Sequence, residues 1–125
     1  MIRTILLVGL GGGIGSILRY LTSVVINKNF STTFPLATFV INMLGCFIIG
    51  ILVSLMDKQP WAGDNFKYFF VTGFCGGYTT FSTFANENVS LMNSNHSFIA
   101  FAYIAASVVA GLIAVWCGMV LGKAI

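Results

Sequence analysis

Gly73-Phe74-Cys75-Gly76-Gly77-Tyr78-Thr79-Thr80-Phe81-Ser82-Thr83-Phe84 lies inside one of the most hydrophobic regions of the chain. Its glycines are followed by a run of hydroxyls, with aromatic rings at Phe81 and Phe84. Glycine gives up the most backbone freedom in a helix, and β-branched threonine loses side-chain rotamers there. A membrane helix would lose its regular hydrogen bonding most easily at this point. In hydrocarbon, freed backbone groups are costly unless protein, water or an ion satisfies them. A broken helix at membrane depth is therefore tolerated mainly where it builds a site, and this segment points to an ion pathway.

The rest of the chain supports a membrane setting. It has 125 residues, 58% hydrophobic and 7% charged, with a mean hydropathy of +0.96. Soluble domains carry about 25% charged residues, which argues against a water-soluble globule. Apolar stretches run near residues 4–26, 35–56, 66–92 and 98–121, each exceeding the roughly 20 residues a helix needs to cross hydrocarbon. The expectation is one all-α transmembrane domain over residues 1–125, with four helices and the third interrupted in mid-membrane. Arg3 precedes the first stretch, but no small-x-small cleavage pattern follows it and Arg19 interrupts it, so it reads as a retained helix rather than a signal peptide. Links of a few residues make neighbouring helices antiparallel.

Charge and cysteine usage exclude several classes. A net charge of +3 without any basic run offers no nucleic-acid surface. Cys46, Cys75 and Cys117 lack metal-ligand spacing and read as small packing residues. Arg3, Lys58, Lys67 and Lys123 fall on one side of the membrane, Lys28 and Arg19 on the other. This weak positive-inside bias mildly favours cytoplasmic termini and also permits insertion in both directions.

Small residues crowd the first helix, and its glycines fail the dinucleotide spacing at Ile14. The pairs Gly9/Gly13, Gly11/Gly15, Gly73/Gly77 and Gly118/Gly122 instead predict close helix contacts. Four helices enclose too little space for a water-filled pore, so a transport route belongs at a subunit interface and the chain is expected to oligomerise.

Asn42 lies midway along the second helix, with Thr38 one turn earlier on the same face. An interhelical hydrogen bond accounts for an amide there, as does a lined pathway. Hydroxyls at Thr79, Thr80, Ser82 and Thr83 weigh toward the pathway. Phe81 and Phe84 share a face at helical spacing; such rings are usually core, yet a ring's positive edge also accommodates an anion without binding it tightly. Asp57 and Asp64 belong to a loop, leaving Glu87 as the one acid in or near a span. A cation path or proton-driven pump would show more acid groups, so a small hydrated anion fits better. Glu87 reads equally as a pathway mouth or an interfacial side chain. Carbonyls released at Gly76 and Gly77 could coordinate a hard cation such as Na⁺. The lone His96 has no nucleophile near it in sequence, and enzymatic function has little support.

These residues resemble the Fluc (CrcB) family of bacterial fluoride channels over essentially the whole chain. Gly12-Gly13-Ile14-Gly15 with Arg19-Tyr20 resembles the first-helix pattern of the family, and Pro35-Leu36-Ala37-Thr38 with Asn42 and Gly45 its second-helix pattern. Gly73 through Phe84, closing on Glu87, matches the long third-helix pattern. Ala37 departs from the second-helix pattern, where glycine is usual, and Tyr78 from the third, where an aliphatic residue is usual. The resemblance implies an antiparallel, dual-topology homodimer in the lipid of the bacterial cytoplasmic (inner) membrane, with two fluoride pores at the subunit interface. It implies that Asn42, Phe81 and Phe84 line the fluoride path, with Ser82 and Thr83 in a polar track and Tyr103 adding a hydroxyl. Carbonyls of Gly76 and Thr79 from both subunits would hold a central structural Na⁺. The alternative reading is a small multidrug-resistance-type proton-coupled antiporter, which would want a carboxylate within the first helix.

Overall fold

The computed structural model describes residues 1–125, and every regular element in it is helical. Helix α1 spans Ile2–Asn29 and α2 spans Leu36–Lys58. Helix α3 covers residues 64–78: it opens at Asp64–Phe66, widens into a π-helix over Lys67–Cys75, and closes with Gly76–Tyr78. Helix α4 spans Phe81–Asn93 and α5 spans Ser97–Ala124. Helices α1, α2 and α5 are each long and apolar enough to cross a membrane, and the chain is an all-α membrane protein.

Glycine pairs set how the helices meet. Helix α1 packs on α3, and α2 packs on α5. A β-carbon at Gly77 would stand 2.9 Å from the Gly12 α-carbon, and one at Gly73 3.1 Å from the Gly11 α-carbon. At the other seam, a β-carbon on Gly50 would stand 3.0 Å from the Gly118 α-carbon, and Gly122 faces Ser54. Backbones this close replace side-chain volume with main-chain van der Waals contact, the usual way small residues hold membrane helices together. One expected pair is corrected: Gly9 and Gly13 have nothing within 4 Å of a built β-carbon. Helical rotation turns them away from α3, which the Gly11, Gly12 and Gly15 face meets instead.

Only 19 residues are buried, so the chain covers little of its own apolar surface. Ile5, Leu10, Ile17, Leu112 and Trp116 are each more than half exposed, as suits faces that lie against lipid or another chain. The small core of Leu91, Ala100 and Tyr103 joins α4 to α5, with Phe34, Phe39, Phe84 and Ile99 packed against it. The turn between α4 and α5 is made by Asn95 at φ 64, a conformation that asparagine tolerates better than most residues. At the opposite end Lys58 donates to the Lys123 carbonyl at 2.8 Å, satisfying one of the last carbonyls of α5.

Candidate functional site at the α3–α4 break

Between α3 and α4 the backbone is extended: Thr79 has φ −81 and ψ 159, and Thr80 has φ −149 and ψ 118. The local sequence explains both ends. Thr79 turns its hydroxyl back onto the Cys75 carbonyl at 2.8 Å, where its own amide also donates. Thr80 is the N-cap of α4, its hydroxyl accepting from the Thr83 amide at 3.2 Å and donating to the Thr83 hydroxyl at 3.0 Å. A threonine cap satisfies one of the donors a helix start leaves free.

Asn42 supplies what the broken helix cannot. Its Oδ1 accepts from the Thr80 amide at 2.9 Å and its Nδ2 donates to the Thr80 carbonyl at 3.1 Å. In a continuous helix the Thr80 amide would serve the Gly76 carbonyl, and the Thr83 amide would serve that of Thr79. Both amides are committed elsewhere. The carbonyls of Gly76 and Thr79 therefore lose their regular helical donors. Gly45 lets α2 approach this closely, because a β-carbon there would collide with the Thr79 side chain.

An open groove of about 500 Å³ runs along the break. Asn42, Gly76, Thr79, Thr80, Phe81 and Phe84 line it. Phe81 is 78% exposed, whereas Phe84 is half-buried, its ring 5.8 Å from that of Phe81 and inclined at 43°. Phe84 also meets Tyr103 edge-on at 4.9 Å. Ser107, one turn beyond Tyr103, borders the groove as well, and its buried hydroxyl has no partner within the chain.

A second cavity, of about 310 Å³, opens near the α1–α2 connection and is lined by Ser23, Asn27, Thr32, Thr38, Thr83 and Glu87 among others. Glu87 is half-buried and engaged by two side chains. Its carboxylate accepts from the Thr38 hydroxyl at 2.9 Å and from the fully buried Tyr103 hydroxyl at 2.9 Å. One acid thus ties α2, α4 and α5 together.

The structure accordingly brings Asn42, Phe81, Phe84, Gly76 and Thr79 to one groove and Thr83 to the other cavity. Ser82 is exposed and makes no hydrogen bond through its side chain, and Tyr103 lies beneath Phe84 as the Glu87 partner. Sequence reasoning passed over Ser107, and it counted Thr80 among the pathway hydroxyls without its role as the cap of α4. The Thr80-x-x-Thr83 spacing could have marked the cap, and Ser107 lies one turn from Tyr103 on the same face of α5.

Tyr78, where the family pattern expects an aliphatic side chain, is buried at the end of α3. Its ring stacks on Phe74 at 6.0 Å, and its hydroxyl shares a 3.1 Å hydrogen bond with Thr22 of α1. It therefore braces the break against α1 rather than opening it.

Comparison with known proteins agrees with this architecture. The family model described as CrcB-like protein, Camphor Resistance (CrcB), matches residues 6–119. The fluoride-specific ion channel FluC of Flavobacterium psychrophilum is 53% identical over 121 residues, 97% of this chain and 98% of its own length. A protein of the same name from Azobacteroides pseudotrichonymphae is 49% identical over 97% of both chains. Another from Gloeothece citriformis is 42% identical over 95% of this chain and 96% of its own. With a family match over nearly its whole length and relatives up to 53% identical, the chain belongs to the CrcB-like (Camphor Resistance, CrcB) protein family.

Proposed function

We propose that the protein is a fluoride-selective passive channel of the bacterial cytoplasmic membrane, working as an antiparallel homodimer with two pores along the subunit interface. The observation that carries this reading is the composition of the groove: an amide, threonine hydroxyls and aromatic rings converge there, and no carboxylate lines it. Relatives of closely similar length that bear the name fluoride-specific ion channel supply the ion. The groove is open on one side in a single chain, and a second copy would close it.

In this mechanism fluoride exchanges hydration water for fixed dipoles. The second N–H of Asn42 Nδ2, not used by the Thr80 carbonyl, is a donor free to face the groove. Phe81 and Phe84 offer ring edges, which carry partial positive charge and let an anion move on. Thr83 and Ser82 extend the polar track, and Tyr103 sets the tilt of Phe84 from beneath. Glu87 lies outside the groove, in the neighbouring cavity, where the Thr38 and Tyr103 hydroxyls hold its carboxylate in place. A negative-inside potential drives exit by about 2.3 kcal/mol per charge at 100 mV, so neither a nucleotide nor a proton gradient is needed.

A central Na⁺ fits the donor set at the break. The Gly76 and Thr79 carbonyls are hard oxygen donors whose helical amides are engaged by Asn42 and Thr80. Gly76 is exposed, with open space where a β-carbon would point. Two chains would supply two such pairs, and the ion would neutralise carbonyl dipoles where the subunits meet.

Reconstitution into liposomes tests the function. Purified protein is expected to release fluoride, followed with a fluoride electrode, under a potassium gradient with valinomycin. Chloride should be retained and no proton gradient should be required. Equal chloride release, or strict dependence on a proton gradient as in a small multidrug-resistance-type antiporter, would overturn the proposal.

A further inference from the structure

The groove along the break also holds a chemistry that anion passage leaves unused. Met43 and Cys46 of α2 and Cys75 of α3 all line it, so sulfur side chains from two helices share one wall. Cys46 and Cys75 are free thiols on two helices that pack against each other along the groove. Cys46 Sγ and the Met43 methyl each stand 3.6 Å from the β-carbon position of Gly111, so the thiol and the thioether have one glycine as common neighbour. No three His, Cys, Asp or Glu side chains gather anywhere in the chain, which leaves a hard or borderline cation without a cage of those ligands. Thiolates and thioethers select soft ions. Two thiolates also neutralise a divalent ion, so the complex carries no net charge into a water-poor groove, where a charged one would be penalised.

We propose that Cys46 and Cys75, with Met43 beside them, form a binding site for a soft divalent cation of the Hg²⁺ kind, which bridges α2 to α3 and obstructs the groove. Binding forms two metal–sulfur bonds and releases two thiol protons to water, with no change of oxidation state. The obstruction half rests on the groove being the ion path; the binding half does not.

Mercuric chloride is the probe, used on the full-length reconstituted protein carrying Cys117→Ser, which removes the exposed thiol of α5. Mass spectrometry of the intact chain is expected to find one mercury per chain, with both remaining thiols protected from maleimide. Fluoride efflux should cease over the same titration. Cys46→Ser or Cys75→Ser should each weaken binding by about 100-fold or more, because chelation by two linked ligands is lost. Two mercury ions per chain, or undiminished affinity in either serine variant, would overturn the site. One mercury per chain with efflux unaltered would overturn the obstruction. Maleimide protection in the chain that keeps both thiols reads the pairing without altering either one. If no fluoride passes even without mercury, the channel reading fails while the stoichiometry still tests the site.

Discussion

Asn42 and Thr80 exchange two hydrogen bonds, the side-chain amide of one clasping both backbone groups of the other at 2.9 and 3.1 Å. The clasp replaces the partners Thr80 loses when the helix stops. It also fixes where α4 begins, and so where Phe81 and Phe84 stand.

Asn42→Ala would leave a buried amide and a buried carbonyl without partners. Each orphaned group costs about 1–3 kcal/mol, so a loss of about 2–6 kcal/mol in folding stability is expected, with fluoride efflux slowed at least about tenfold if the barrier rises by 1.4 kcal/mol or more. Unfolding in detergent followed by circular dichroism, beside the electrode assay, checks both. A variant as stable as the parent would show that the clasp does not hold the break.

Phe81→Ile and Phe84→Ile should separate conduction from packing. Phe81 is largely exposed and Phe84 packs on Tyr103. Both substitutions are expected to slow efflux strongly, whereas only Phe84→Ile should also destabilise the chain, by about 0.5–1.5 kcal/mol through the lost ring pair. Paired efflux and unfolding measurements read the difference, and normal conduction in both variants would sink the aromatic assignment.

At Glu87 the conservative variant is informative. Glu87→Ala strands the buried hydroxyl of Tyr103 and that of Thr38, and should cost about 2–3 kcal/mol. Glu87→Gln keeps one oxygen acceptor and adds a donor that a hydroxyl can receive, so most of that loss should be recovered. Equal destabilisation by the two variants would mean that the negative charge, not the hydrogen-bond pair, holds α2, α4 and α5 together.

The helix seams make a direct comparison. Gly77→Ala would press a methyl onto the Gly12 backbone, and crowding of that kind costs about 1–3 kcal/mol. Gly9→Ala meets open space and should leave stability unchanged or raise it by up to about 1 kcal/mol, the usual gain in helix propensity. Thermal unfolding of the two variants settles whether this face of α1 is the seam.

Replacing sodium tests the central ion. Protein purified and reconstituted throughout in potassium salts should conduct fluoride more slowly than protein kept in sodium, and returning sodium should restore the rate. Identical rates in carefully sodium-free preparations would count against a Na⁺ held by the Gly76 and Thr79 carbonyls.

Much of the architecture is legible in the residue order because hydrocarbon is an unforgiving solvent. Long apolar runs must be helical there, since no water pairs with the backbone, and the Gly73–Phe84 composition marks where a helix is weakest. The resemblance names Asn42, Phe81, Phe84, Ser82, Thr83 and Tyr103 for the ion path and Gly76 and Thr79 for a cation; of these, Asn42, Phe81, Phe84, Gly76 and Thr79 line one groove, while Ser82, Thr83 and Tyr103 do not. What could not be read is direction. Gly9/Gly13 and Gly11/Gly15 have the same spacing, and only rotation of α1 against α3 chooses between them. The partners of Glu87 could not be read either, because Thr38 and Tyr103 are distant from it in sequence.

The order of residues by itself settled that this chain is a helical membrane protein of the CrcB-like family with a weak point at Gly76–Thr80. Backbone hydrogen bonding and hydrophobicity are local properties, and continuous apolar runs of this length satisfy both in lipid as helices. Tertiary structure alone decided which amide answers the freed backbone, which glycine face becomes a seam and where the single acid is spent. Those outcomes depend on the rotation and approach of helices brought together across dozens of residues, and a side chain's partner is fixed only once that approach is made.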